Sequence, residues 1–268
     1  TNLKWESSKT LDLGVDFAMF NNRLNAEVNY YEINTSDVIL PSKISPEFGI
    51  ESIIYNQGEI SNKGFDMSLL ADVVNTRVWG FTVGGNICFN KNRLESLGSS
   101  TELVRELGDG SAVVSRVGES VYSFYGHKSD GVIASSAEAA VAGVNSMPLY
   151  DYKGQAFGAG DIRFADISGN NGVIDQNDRT VIGSAEPDYF GGFFANIRYK
   201  QFDLSANFTY SVGNQMYNAV RRSLESMDNY YNQSSAVVRR WQTEGQQTDM
   251  PKATYGDPMD NSRFSDRW

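Results

Sequence analysis

The sequence predicts an all-β chain: an antiparallel transmembrane β-barrel segment of about six long strands in three hairpins, with long extracellular loops that contain short helices. Three observations carry this. Apolar and polar residues alternate with a period of two over long stretches. The alternating runs come in pairs, joined by turns of about two residues. The other connections are long, and short turns at one end with long loops at the other is the layout of outer-membrane barrels.

The first hairpin is predicted over about 10–20 and 23–34. Leu11, Leu13, Val15, Phe17 and Met19 alternate with Asp12, Gly14, Asp16 and Ala18. Asn21-Asn22 turns the chain, because Asn tolerates the left-handed backbone that tight turns need. Leu24, Ala26, Val28 and Tyr30 then share one face of the return strand, and Asn25, Glu27, Asn29 and Tyr31 the other. A second hairpin follows over 59–74 and 77–90, with Phe65, Met67 and Leu69 answered by Trp79, Phe81, Val83, Ile87 and Phe89. The third, over 189–199 and 201–212, sets Phe193, Ala195 and Ile197 against Leu204, Ala206 and Phe208 across a Lys200-Gln201 turn. The predicted loops are 35–58, 91–187 and 213–268, and the whole chain, 1–268, reads as part of one barrel domain. Within the loops, 134–143, 216–225 and 235–244 read as short helices.

Alternation alone also suits a soluble β-sandwich, with the apolar face as its core. Strand length argues for the barrel, since soluble strands cluster at about 5–6 residues, and loops as long as 91–187 are rare inside compact domains. The chain has 268 residues, 40% hydrophobic and 12% aromatic, and a net charge of -10. That charge speaks against nucleic acid, which selects a basic face. A single cysteine rules out a disulfide framework, and a single histidine leaves little for triad or His-based metal chemistry. No apolar run reaches the roughly 18 residues of a membrane-spanning helix, which leaves a membrane barrel open. Beginning at Thr1 and stopping at Trp268, the chain reads as a piece of a larger protein.

In order and spacing, several segments resemble one family. They include Asn2-Leu-Lys-Trp-Glu6, Leu13-Gly-Val-Asp-Phe17, Asn56-Gln-Gly-Glu-Ile60 with Asn62-Lys-Gly-Phe-Asp66, Phe124-Tyr-Gly126, Gly160-Asp-Ile162, Gly172-Val-Ile-Asp175 and Arg240-Trp241. The chain is similar, over nearly its whole length, to the C-terminal half of the barrel of SusC/RagA-type TonB-dependent outer-membrane transporters of Bacteroidetes. The resemblance implies a closed, plugged barrel of about 22 strands in the cell outer membrane. It also implies a SusD-like surface lipoprotein as lid and the TonB complex as energy source. The cargo would be an oligosaccharide or peptide ligand, with membrane lipid around the wall and no nucleic acid partner. His127 departs from the pattern, where an aromatic is expected after Tyr125-Gly126.

Nutrient import is thus the leading expectation. The alternatives are a non-transporting outer-membrane barrel or adhesin, and a soluble β-rich glycan-binding domain. No enzyme is predicted. His127 lacks a nucleophile motif, and Cys88 falls on a polar strand face without a partner. Asp12, Asp16 and Glu27 read as lumen carboxylates rather than an acid/base pair. Gly84-Gly85 and Gly191-Gly192 suit close approach within a sheet. Arg221-Arg222 and Arg239-Arg240 read as solvated or ion-paired helix faces. Tyr122, Phe124, Tyr125, Tyr150, Tyr152, Tyr217, Tyr230 and Tyr231 either pack the loops or line a ligand site. Trp79 and Tyr199, beside the short turns, suit a membrane–water belt.

No cofactor is required by this reading, and Ca²⁺ is the one candidate. Residues 166–178 resemble a calcium loop. With Gly172 as the turn glycine, Asn171, Asp175 and Asp178 take the fifth, ninth and twelfth positions. Asp166 stands one residue too far upstream for the first. The competing reading is a metal-free loop held by Asx-turns.

Overall fold

The structure, a computed structural model, describes residues 3–43, 47, 49 and 52–268. Part of the predicted loop 35–58, and Asn2 of the first quoted segment, lie outside the described residues. Fourteen strands are described: β1 (Ser7–Met19), β2 (Leu24–Lys43), β3 (Ser52–Asn75), β4 (Trp79–Leu97), β5 (Glu102–Glu106), β6 (Ala112–Arg116), β7 (Ser123–His127), β8 (Ser129–Val132), β9 (Tyr150–Asp151), β10 (Ile162–Phe164), β11 (Val173–Ile174), β12 (Arg179–Gly183), β13 (Tyr189–Tyr199) and β14 (Phe202–Val212). The helices are α1 (Ser136–Ala139) and α2 (Ala219–Glu225). The chain forms two compact units. A wall unit comprises Thr1–Leu103, Ser115–Tyr122 and Ser184–Gln215, and a loop unit comprises Val104–Val114, Ser123–Gly183 and Met216–Trp268.

The wall unit is an open antiparallel sheet of order β1-β2-β3-β4-β13-β14. Its short turns use the backbone that the sequence anticipates. Phe20, Asn21 and Asn22 take φ of 54, 57 and 63°, and Lys200 takes 52°. Thr76 closes the β3–β4 turn by donating its amide to Trp79 O at 2.7 Å.

Three strands are much longer than predicted. β2 runs to Lys43, β3 starts at Ser52, and β4 runs to Leu97, so the predicted loops 35–58 and 91–187 give up residues to strands. The cause is local. Pairing of β2 with β3 shifts register between Thr35 and Val38, where Asp37 sits at φ 59°. β3 and β4 shift between Glu59 and Ile60. A bulge inserts a residue and reverses the phase of alternation, so a period-two reading stops at a bulge although the ladder continues.

The loop unit is more ordered than the sequence suggests. Its core packs Ile133, Leu149, Phe157, Ile162, Phe164, Ile174 and Met259, and a second cluster joins Met227, Val237 and Met250. Its strands are short. β12-β7-β6-β5 form one sheet, β10-β8 a second, and β11-β9 a parallel pair. The helix predicted at 134–143 is the single turn α1, capped by Ser135, whose Oγ accepts Glu138 N at 3.1 Å. That predicted at 216–225 is α2, capped by Asn218 accepting from Arg221 N at 2.9 Å. Over 235–244 there is only a 3-10 turn, Ser235–Arg239, after which Arg240 is extended at ψ 152°.

Candidate functional site

Register turns the alternation into two continuous surfaces. Phe17, Ala26, Leu69, Gly85, Phe193 and Phe208 stand opposite one another in one row across all six wall strands. On the reverse face the next row is Asp16, Glu27, Ser68, Asn86, Gly192 and Thr209. A one-residue slip anywhere would mix the two sets. The apolar face is open: Phe202, Leu204 and Phe17 are 76, 64 and 53% exposed. An apolar surface this continuous on a sheet marks a surface that something apolar covers. Close strand approach needs the glycines, since a Cβ on Gly84 would lie 2.6 Å from the Phe194 ring and one on Gly191 would run into the Asn86 carbonyl.

Aromatic residues bound the apolar face at both ends. Near the short turns, the Trp79 and Tyr199 rings lie 4.3 Å apart, with Phe202 opposite Tyr199. At the far end, Tyr30 contacts Phe65 at 5.0 Å, Phe89 contacts Tyr189 at 5.7 Å, and Tyr189 contacts Tyr210 at 6.3 Å. Tyr189 and Tyr199 are the two ends of β13. At about 3.3 Å per residue they are about 33 Å apart along the strand. A tilt of about 40° reduces that to about 25 Å, the height of the apolar band between the aromatic girdles of membrane barrels. The sequence showed the first girdle only, because Trp79 and Tyr199 stand beside short turns that residue types reveal, whereas members of the second flank no short turn and are aligned only by strand register.

The predicted site residues of the loop unit are placed as follows. Asp178 is 1% exposed. Its Oδ1 accepts from Ile167 N (2.9 Å) and Ser168 N (2.8 Å), and its Oδ2 from Asp175 N (2.8 Å). Asp175 Oδ1 accepts from Asn177 N, Asn171 Oδ1 from Val173 N, and Asp166 Oδ2 from Gly172 N. Among the described residues no three His, Cys, Asp or Glu side chains converge as metal ligands. Asp166, Asn171, Asp175 and Asp178 are therefore brought into one loop, but their oxygens are engaged by backbone N–H groups. These hydrogen bonds are those of the Asx-turn reading, and Asp166 Oδ1 is buried without a partner.

His127 is buried, with Nε2 2.9 Å from the Asp175 carbonyl and its ring edge-on to Phe164 at 5.9 Å. It thus occupies the aromatic place expected after Tyr125-Gly126. Burial pushes the imidazole below its ordinary value, opposed by the Asp175 carbonyl. A depressed folded value means the unfolded chain binds the proton more readily. Stability from this group is complete above about pH 6.5 and falls as pH drops from there toward the folded value. Amide exchange in β7 and β12 of the full-length protein is expected to slow less than the intrinsic trend as pH falls from 7 to 5.5, leaving an excess of exchange. His127→Gln should remove that excess; an unchanged excess would refute the assignment.

Cys88 is half-buried on the polar face of β4, opposite Asp66 and Phe190. Asp16 and Glu27 are direct partners on that face, with Asp12 two positions further along it, beyond Gly14. Arg221 pairs with Glu225 at 3.0 Å and Arg239 with Asp249 at 3.2 Å. Arg222 donates to Ser262 O and Asp109 O, and Arg240 to Val237 O. The loop aromatics divide. Tyr125 is buried and Tyr217 packs edge-on to Phe264 at 4.9 Å, whereas Tyr122, Tyr152, Tyr230 and Tyr231 are exposed. Tyr230 stacks with Tyr255 at 5.3 Å, a partner not evident from sequence. A cavity of about 520 Å³ opens in the loop unit beside Lys128, Asp130, Val144, Arg163, Asp166 and Asn170. Its size suits a small ligand, and Arg163 in it is fixed by Asp130 (2.8 Å) and Glu138 (3.2 Å).

Comparison with known proteins agrees with this wall. Residues 1–113 match the family described as "TonB dependent receptor-like, beta-barrel". "TonB-dependent receptor P3" of Formosa agariphila is 32% identical over 268 residues, which is 98% of this chain and 26% of the relative. "TonB-dependent receptor SusC" of Bacteroides thetaiotaomicron is 26% identical over 88% of this chain and 23% of its own length. The chain spans about a quarter of the curated relatives it matches. These relatives are named receptors. Among solved structures, the RagAB peptide importer in its open-open state aligns with a TM-score of 0.74 at 22% identity, covering 96% of this chain and 26% of that chain.

Proposed function

Because the chain belongs to the TonB-dependent receptor β-barrel family, we propose that it supplies wall and outer loops to an importer in the cell outer membrane. The observation that carries this reading is the pair of rows across six strands, apolar on one face and polar on the other. Lipid covers the first face, and the second lines an aqueous or plugged lumen. The short turns face the periplasm and the opposite strand ends face outward. The importer takes up oligosaccharides or peptides, works with a SusD-like surface lipoprotein, and draws energy from the TonB complex. The RagAB structures, named as a peptide transporter and importer, support the peptide arm of that pair. No residue of this chain acts as a catalyst; ligand contact falls to the exposed loop aromatics and polar lumen side chains.

In cells carrying the full-length protein, uptake of a labelled peptide digest or oligosaccharide mixture is expected to fall to background when TonB is removed. Uptake that persists without TonB would overturn the energised-import reading. Recovery of the full-length protein in the aqueous phase without detergent would favour the soluble alternative.

A further inference from the structure

Immediately beyond the far aromatic girdle, the apolar face changes character within one residue step. The row Leu13, Tyr30, Phe65 and Phe89 is followed on the same face by Leu11, Glu32, Lys63 and Lys91. Next comes Lys9, Asn34, Ser61 and Arg93. These two rows hold four bases and one carboxylate, although the chain carries a net charge of -10. The reverse face at the same level reads Asp12, Tyr31, Gly64 and Asn90, then Thr10, Ile33, Asn62 and Asn92, with no base at all. Exposure to water would not sort charge by face in this way.

Lys63 and Lys91 are directly opposed across β3 and β4. Like charges so placed, with Cβ atoms about 5 Å apart, destabilise a sheet unless an anion sits between them. Glu32 does not fill that place. It pairs with Lys63 at 3.0 Å on the β2 side, and also accepts from Asn34 and Tyr30. Arg93 is taken up by Glu95 at 3.6 Å. Lys91 is exposed and makes no ion pair among the described residues.

We propose that Lys63 and Lys91 form a binding site for a phosphate group of the outer-leaflet glycolipid. A phosphate monoester accepts from two ammonium groups at once. The acyl chains of the same molecule would lie over Tyr30, Phe65 and Phe89. The site rests on the membrane reading above, because that reading puts this face against lipid and the long-loop end in the outer leaflet.

The test uses the full-length protein in lipid nanodiscs, with bis-phosphorylated lipid A, its dephosphorylated form and inorganic phosphate as probes, followed by native mass spectrometry. Lys91→Ala and Lys63→Ala are each expected to weaken retention of the phosphorylated lipid about tenfold, Lys91→Arg to retain it, and the dephosphorylated lipid to bind poorly throughout. Competition by inorganic phosphate alone, without preference for the lipid, would overturn the glycolipid assignment. Unchanged retention by Lys91→Ala and Lys63→Ala would overturn the site while leaving the membrane reading intact. Failure of the protein to insert into nanodiscs would overturn both.

Discussion

Arginine at Val83 is expected to cost about 2–4 kcal/mol of barrel stability in lipid, the penalty for a cation at the bilayer midplane. Val83 lies on the apolar face of β4, four positions from Trp79 and six from Phe89, between the two girdles. Ala206 shares its row through Ala195, so Ala206→Arg should behave alike. Val15→Arg, on the edge-side strand β1 of the described sheet, tests the same face. Asn207→Arg, one residue away on the polar face, should cost much less, because a cation there meets water or polar groups. The measurement is denaturant unfolding of the full-length protein refolded into vesicles. Equal penalties at Ala206 and Asn207 would sink the assignment of lipid to the apolar face, since the two positions share local backbone and differ only in the side on which they stand.

Asp178→Ala is expected to be the most damaging single change in the loop unit. Three amides, those of Ile167, Ser168 and Asp175, lose their acceptor together. A fully buried donor left unpaired costs about 1–3 kcal/mol; these three are part-buried, so together the loss should be about 1–3 kcal/mol. Asp178→Asn should be milder, keeping an acceptor for Ile167 and Ser168 while setting an amide NH₂ against Asp175 N. Exchange of these three amides in the full-length protein reports the effect directly. Chelator is expected to leave wild-type protection unchanged, because backbone N–H groups already hold the carboxylate. Loss of protection on calcium removal would establish the cation reading of 166–178.

That loop illustrates where sequence reasoning stops. Residue types and spacing near a calcium loop were visible at Asp166, Asn171, Gly172, Asp175 and Asp178. Whether each oxygen faces an ion or an amide depends on the path of the backbone between them, which the residue types do not encode. The wall was legible because its signal is local: each strand announces its two faces by alternation, and Asn21-Asn22 announces the turn. Where a bulge resets the phase, as at Asp37, that signal breaks although pairing goes on. The loop unit offers no such period. β11 pairs with β9 through Val173–Tyr150 and Ile174–Asp151, and β12 meets β7 through Arg179–His127. Ladders of two and four residue pairs joined across the chain leave no periodic trace. The aromatic place taken by His127 is similar, since only the packing against Phe164 reveals it.

The pairing of β13 with β4 carries a consequence for how such a chain assembles and diversifies. The hairpins β1–β2, β3–β4 and β13–β14 close over their own turns, but Phe190 meets Cys88 only after about a hundred intervening residues have been brought round. Loop-closure entropy for a flexible tether of that length is about 4 kcal/mol, and doubling the tether adds only about 0.6 kcal/mol. The ladder therefore scarcely registers the length of the insert it closes around. The connecting segment can be lengthened, shortened or exchanged with little thermodynamic consequence for the sheet, so its sequence is free to vary while the apolar and polar rows and their register stay fixed.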